Sequence, residues 1–258
     1  MPIRPRLLPA APTAGNQPPV IGYHSVFVQT GTFVTTGTDY ANALDGLTYD
    51  GWLTTATGAV MTFTGSRSHD CDYFGVAGHN LHQHGGTISL EYYNGAAWVE
   101  LAACAPGTSS PFMQLFTKVT SNQYRVTVAC TSAATIGVVM AGRRLTMPHG
   151  NYVGFGPFPL QQATKLYTAQ AQRGQILGRS TIRSGYSGTF DIDFLDPQWM
   201  RDTFQAFITH ARDAGWFLLW NPARHPNEAA YCMTTGDVDV QNSRTRYMAA
   251  RIPFEARV

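Results

Sequence analysis

The sequence predicts a mainly β protein, in which a β-sandwich is followed by a smaller α+β domain with one amphipathic helix. From Val20 to about Arg143, short runs of Thr, Val and aromatic residues are interrupted by Gly, Asn and Asp every eight to twelve residues, which is typical of a sandwich. Helical periodicity occurs only after Asp196. Because 44% of the residues are apolar, the chain can bury a substantial core.

Composition shifts along the chain predict four segments. Residues 1–20 contain six prolines and are expected to form an extended arm, with a disordered tail as the alternative. Residues 21–145 form the predicted sandwich, and 146–160 form a Gly/Pro-rich connector. Residues 161–258 form the α+β domain.

Local patterns define several strands of the sandwich. Residues 59–64 and 72–78 are expected as two strands, and residues 123–130 alternate polar and apolar side chains. Residues 87–93 and 96–101 flank Asn94-Gly95, the strongest short hairpin signal. The almost wholly apolar residues 136–142 predict a central strand.

The second domain contains the clearest helix signal. Asp196 is a good N-cap, Pro197 fits the first helical position, and apolar residues recur every three or four positions until Gly215. Strands are expected around 165–172, 174–181, 188–195 and 216–220, followed by two closing strands. Alternation within 188–195 predicts that Phe190, Ile192 and Phe194 share a buried face. The helix must lay its apolar stripe on this sheet.

Charge argues against several classes of partner. A net charge of +2 does not predict nucleic-acid binding, which needs clustered cations, and no apolar run of about 18 residues predicts a membrane span. Sixteen of the 18 cations are arginines, and arginine tolerates buried, hydrogen-bonded positions better than lysine. We therefore expect much of the surface to be covered by other subunits. The candidate interface residues are Arg173, Arg179, Arg183, Arg244, Arg246 and Arg251; charged protection of strand edges is the alternative.

No motif predicts an enzyme, a metal site or a cofactor. Residues 68–84 contain several His and Asp residues and one Cys, but their spacing fits no tetrahedral zinc pattern. A bend at His79-Asn80, with side chains capping backbone groups, is the favoured interpretation. Asp191 and Asp193 on one strand face could serve a glycosidase, although neighbouring carboxylates are also common on a solvent-facing strand. The expected catalytic set is empty.

Part of the sandwich resembles a family of phage proteins. The stretch Asp72-Tyr73-Phe74-Gly75-Val76-Ala77-Gly78-His79-Asn80-Leu81, with strand 87–93, Asn94-Gly95 and Trp98, is similar to tailed-bacteriophage structural proteins that carry a galactose-binding-like (discoidin-type) jelly roll. The order of elements in the second domain resembles the tail-tube-like fold of baseplate and distal tail proteins. The resemblance implies a non-enzymatic, ring-forming virion component of the tail tip or upper baseplate. It would be assembled in the bacterial host cytoplasm beside other tail proteins.

An alternative function is attachment to a host-surface glycan. Sugars stack on aromatic faces, and Trp52, Tyr92, Tyr93 and Trp98 are the candidate residues. The competing interpretation is structural, because an aromatic pair across a hairpin often serves packing alone.

Overall fold

The computed structural model describes residues 18–150, 155–158, 160, 163–244 and 246–257. The side chains of residues 165, 182–184 and 244 are not among those described. The predicted N-terminal arm therefore lies outside the described residues up to position 17, and the connector is described only in part. Strands β1 to β9 are Val20–Gly22, Gly31–Thr35, Trp52–Leu53, Ala59–His79, Thr87–Tyr93, Trp98–Cys104, Phe112–Ala129, Thr135–Gly142 and Leu145–Thr146. Strands β10 to β15 are Ala163–Gln170, Ile176–Leu195, Trp216–Leu219, Ala229–Thr234, Asp239–Arg244 and Tyr247–Arg257.

The predicted mainly β fold is confirmed. Seven strands form the sandwich in the order β3-β8-β4-β7-β5-β6, with β2 on β4. Residues 59–79, expected as two strands, form the single long strand β4, whose register against β7 shifts between residues 64 and 69. The first part of β4 pairs with β2 and the last part with β8. β4 therefore pairs with β2, β7 and β8 along its length, and it contributes to a core that includes Met61, Phe63, Phe74, Val76, Leu90, Tyr124 and Val126.

Two local predictions for the sandwich are also confirmed. Strands β5 and β6 form the hairpin, in which Gly95 has a φ of 96°. The Asn94 side-chain oxygen accepts hydrogen bonds from the backbone amides of Ala96 and Ala97, both at 2.9 Å. Strand β8 lies between β3 and β4, and nearly all of its residues are buried.

A second, eight-stranded sheet has the order β10-β11-β15-β13-β12-β1-β9, with β14 on β15. It includes one strand from each end of the predicted sandwich segment. Strand β1 (Val20–Gly22) pairs with β12, and strand β9 (Leu145–Thr146) pairs with β1. Short apolar segments such as these pair where a free strand edge and a buried face are available; β12 supplies the edge for β1, and β1 supplies the edge for β9. Backbone hydrogen bonds between strands therefore join the two predicted domains within one sheet.

A continuous helix covers one face of the second sheet. It consists of α-helical Pro197–Trp199 (α1), π-helical Met200–Phe204 and α-helical Gln205–Asp213 (α2). As predicted, Asp196 caps its start, accepting hydrogen bonds from the amides of Gln198 and Trp199 at 2.9 Å. The apolar stripe of the helix packs on the sheet, with the Phe207 ring 5.2 Å from that of Trp216. The prediction for Phe194 is wrong, because a register shift and a φ of 61° interrupt the alternation and leave it only partly buried.

The other face of the second sheet packs on the sandwich. Alternate residues of a strand point to opposite faces: Trp216 and Leu218 face the helix, whereas Phe217 and Leu219 face the sandwich. The contact layer comprises Val20, Tyr73, Ala77, Met113, Val138, Met140, Phe217, Leu219, Ala229 and Tyr231. The Tyr231 hydroxyl also donates to the Gly46 carbonyl at 2.7 Å. The sandwich, the sheet and the helix therefore form one stack.

Candidate functional site

A two-stranded ribbon projects from the second sheet. The residues of β11 from 186 onward pair with β15, whereas residues 176–185 pair with β10. We call residues 163–170 and 176–185, with their connecting turn, the ribbon. Among the described residues, no third strand pairs with it. An isolated two-stranded hairpin is only marginally stable in water. Packing against another surface would therefore stabilise the ribbon.

The ribbon exposes large apolar side chains on both of its faces. Tyr167 is 60% exposed, Ile176 is 67% exposed and Leu177 is 70% exposed, while Leu166 is 36% exposed. Since consecutive strand residues point to opposite faces, the adjacent pairs 166–167 and 176–177 place apolar surface on each side. Clustered exposed apolar side chains of this kind mark interaction surfaces.

All the charged residues of the ribbon are cations. Residues 163–187 contain Lys165, Arg173, Arg179 and Arg183 and no Asp or Glu. The side chains of Arg173 and Arg179 are exposed, and that of Arg183 lies outside the described residues. A surface that combines apolar and arginine side chains matches the composition of protein–protein interfaces.

The other three candidate interface arginines lie elsewhere, around β14 and β15. Arg251 donates from Nε to Asp191 at 3.1 Å, so it already has an acidic partner within the chain. Arg246 is exposed, and the Arg244 side chain is not among those described. The six arginines predicted as one interface set therefore fall into two groups.

The candidate glycan-binding aromatics do not form one site. Trp52 is fully buried in the sandwich core, and its indole N–H donates to the Thr36 carbonyl at 3.0 Å. This candidate residue therefore presents no ring face to a sugar. Tyr92 and Tyr93 point to opposite faces, and Tyr92 packs against that core. Only Tyr93 and Trp98 come together, with ring centroids 5.5 Å apart.

The Tyr93–Trp98 pair lies beside a charged pair. Arg125 forms an ion pair with Glu91, and the Thr127 hydroxyl donates to the same carboxylate at 3.2 Å. The Arg125 guanidinium carbon lies 4.5 Å from the centre of the Trp98 ring, in cation–π contact. One face of Trp98 is thereby occupied, and the half-buried aromatic pair offers a sugar less surface than a free indole would.

A small cavity lies where loops of the sandwich meet the last strand of the second sheet. Its volume is about 220 Å³, and it is lined by Thr48, Gly78, His79, Asn80, Ser109, Thr135 and Arg257. The predicted bend at His79-Asn80 forms part of its wall, and the Asn80 side-chain oxygen accepts from the Thr135 amide at 2.7 Å. Sequence reasoning identified this capping role but missed the cavity, since Ser109 and Arg257 are distant in sequence from the bend.

Among the described residues, the His, Cys and Asp side chains of segment 68–84 do not form a metal site. There, no group of three or more His, Cys, Asp or Glu side chains is positioned to hold a metal ion. The Asp72 carboxylate instead accepts from the backbone amide of Arg144 at 2.7 Å. In the same part of the chain, no helix is both long and apolar enough to cross a membrane.

Comparisons with known proteins show that part of the chain is similar in fold to solved structures. No family model and no curated protein matches the sequence. A pectin-binding carbohydrate-binding module is 15% identical, covering 45% of this chain and 91% of the module with a TM-score of 0.38. A CBM32 module from Clostridium perfringens in complex with GalNAc-β-1,3-galactose is 12% identical, with coverages of 44% and 95% and a TM-score of 0.36.

A third similar structure is the family 32 carbohydrate-binding module of Streptococcus pneumoniae EndoD. It is 12% identical, with coverages of 44% and 96% and a TM-score of 0.37. These likenesses extend over less than half of the chain, and the ligands named for the modules belong to those proteins. The comparisons do not support the resemblance to phage tail proteins, which stays a prediction.

Proposed function

We propose that this chain is a structural subunit that assembles with copies of itself, and that the ribbon forms the principal contact. The observation that carries the proposal is a cationic two-stranded ribbon with Tyr167, Ile176 and Leu177 each at least 60% exposed. Burying this surface on a neighbour would stabilise both the hairpin and the assembly. When one surface binds a different surface on the next copy, the assembly is a ring if the rotation closes and a filament if it does not; the assembly proposed here is a closed ring.

The finer proposal is a ring at the tail tip or upper baseplate of a bacteriophage, where the chain would contact other tail proteins. It is supported by the sequence resemblance and by the order of elements in the second domain. In this setting the protein is non-enzymatic, and its activity consists of assembly.

Light scattering coupled to size-exclusion chromatography, run on the purified full chain over a range of loading concentrations, tests self-assembly. We expect a discrete oligomer that dissociates on dilution, with a defined subunit number. A strictly monomeric species up to high micromolar concentration would overturn the proposal. Labelling of this protein in electron micrographs of phage particles separates a tail location from any other.

Glycan binding by the sandwich is a second candidate, favoured by the partly exposed Tyr93–Trp98 pair beside Glu91 and Arg125. A glycan array probed with the full chain tests it. We expect Trp98→Ala to reduce any binding at this pair, while Val99→Ala, on the opposite face of the same strand, leaves it unchanged. An array without hits removes this candidate and leaves the assembly proposal intact.

A further inference from the structure

A groove lies at the junction between the sandwich and the second sheet. Its volume is about 530 Å³. The end of β6 and the start of β7 form one side, and the end of β12 with the loop that follows it forms the other. The apolar residues of the lining are Leu101, Met113, Leu115, Leu219, Pro222 and Pro226.

The composition of this lining favours an uncharged occupant. Among the described residues that line the groove, none is Asp, Glu, Lys or Arg. Met113 and Leu219 are buried in the contact layer between the two sheets, whereas Leu101 and Leu115 are only half-buried. Covering the half-buried side chains with apolar groups is favourable, but a charge placed against them would lose water without gaining a partner.

The first strand of the second sheet begins at the edge of this groove. Val20 of β1 pairs with Leu219 of the lining, and both side chains belong to the same contact layer. The Pro19 carbonyl accepts a backbone hydrogen bond of 2.9 Å, so the chain is held in place up to that residue. Because β1 and β12 are antiparallel, the chain before Val20 runs beside the residues that follow Leu219. At Pro19 it therefore points toward the side of the groove that Pro222 forms.

The preceding segment, residues 1–17, lies outside the described residues, but its sequence matches the lining. Residues 7–19 contain no charged side chain, and residues 7–12 are Leu-Leu-Pro-Ala-Ala-Pro. Proline restricts φ and so reduces the entropy lost on binding. Twelve residues separate Leu8 from Val20, and an extended chain of that length spans up to about 40 Å. The lining residue Pro222, which follows Leu219 by three positions, is within this reach.

We propose that residues 7–12 bind in this groove of their own chain, with Leu7 and Leu8 covering the apolar lining and with Arg4 and Arg6 remaining in solvent. A segment on a short flexible tether meets its site at an effective concentration in the millimolar range. The same segment of a second copy competes only at the much lower concentration of the protein, which favours the occupant from the same chain. The proposal requires neither assembly through the ribbon nor glycan binding.

Photo-cross-linking of the full chain tests both the site and the origin of its occupant. The variant Leu8→p-benzoylphenylalanine, prepared as a mixture of isotopically light and heavy chains, should cross-link to peptides covering residues 101–103, 113–115 or 222–227. Each cross-linked pair should carry a single isotope. The control places the same photoreactive residue at Val28, which is 61% exposed and outside the lining, and should give no such products. Cross-links to the groove between light and heavy chains would overturn the assignment to the same chain, and cross-links elsewhere, or none, would overturn the site.

NMR of the labelled methionine methyl groups gives a second readout, since Met113 lines the groove. Leu7→Ser/Leu8→Ser should shift the Met113 resonance, because losing two apolar side chains lowers the bound population by about tenfold or more. Arg4→Ser/Arg6→Ser is the matched control and should leave the resonance unchanged. An unchanged resonance in both variants, or equal shifts in both, would overturn the proposal.

Blocking the groove completes the test. Ala103→Trp, at an exposed position of the lining, should abolish most of the cross-linking from position 8. Ala96→Trp, at an exposed position in the hairpin turn outside the lining, should not. The methyl resonance of Met61, which is buried in the sandwich core, should stay unchanged in both variants and so verifies the fold. Equal cross-linking in the two variants would show that residues 7–12 do not bind in the groove.

Discussion

Replacing two exposed apolar residues of the ribbon, in the variant Ile176→Ser/Leu177→Ser, should dissociate the assembly without unfolding the subunit. Fully burying such a side chain contributes about 1.5–3 kcal/mol. Ile176 and Leu177 are 67% and 70% exposed, so about two thirds of that remains to be gained when a neighbour covers them. The pair would then contribute about 2–4 kcal/mol per contact, which corresponds to a weakening of about 30-fold to 1,000-fold.

Sedimentation velocity over a range of concentrations measures this change. The control is Val28→Ser/Val34→Ser, which alters two side chains of the sandwich that are 61% and 75% exposed. Neither variant should change the free energy of unfolding of the monomer by more than about 0.5 kcal/mol, because surface substitutions rarely do. An unchanged dissociation constant in the ribbon variant, or equal weakening by both variants, would refute the assignment of the contact to the ribbon.

Three further predictions concern the stack that supports these surfaces. Gly75→Ala should destabilise the fold by about 1–3 kcal/mol in urea titrations, since its Cβ would lie 2.8 Å from the Phe217 ring; an unchanged midpoint would contradict this close contact. Tyr231→Phe should cost about 1 kcal/mol in calorimetry through loss of its 2.7 Å hydrogen bond to a loop carbonyl, whereas equal melting temperatures would show that the bond contributes nothing. Burial lowers the pKa of His24 and His79 below the usual 6.5, so the unfolded chain takes up protons first and the unfolding free energy should fall as the pH drops through about 6.5; a stability that rises on acidification would contradict it.

Local structure could be predicted where neighbouring residues determine it. Asp196 and Pro197 specify the start of the helix through capping and a fixed φ, and Asn94-Gly95 specifies the hairpin through a turn that few other residues adopt. In both places the structure agrees with the sequence prediction. The prediction failed at Phe194, where a positive φ breaks the alternation on which its assignment depended.

Long-range pairing could not be predicted in the same way. The segment Val20–Gly22 is short and apolar, and its pattern carries no information on its partner at residues 217–219. The polar residues between positions 65 and 72 separate two apolar runs, so the sequence suggests two strands where β4 is continuous. The backbone of β4 pairs with β7 again from His69 onward. A pattern of apolar residues gives no information on backbone pairing of this kind.

The sequence indicated which residue types take part in the candidate sites, but not where the fold places them. Arg173, in the turn, and Arg179, in β11, were recognised as interface candidates, but only the strand pairing shows that β10 and the first part of β11 leave the sheet as a ribbon. An aromatic residue in a short strand can face either the core or solvent, so the sequence could not show that the candidate Trp52 is buried. The cavity depends on Arg257 approaching Thr48, a contact between the end of the second domain and a loop of the first.

Hydrogen–deuterium exchange of peptides from residues 163–185, measured as a function of protein concentration, tests assembly through the ribbon most directly. If the ribbon is the contact between copies, its amides should exchange rapidly in dilute monomer and become strongly protected at concentrations where the oligomer forms. Protection should be lost in Ile176→Ser/Leu177→Ser at the same concentrations. Rapid exchange of the ribbon in both monomer and oligomer, with protection appearing elsewhere, would contradict the account.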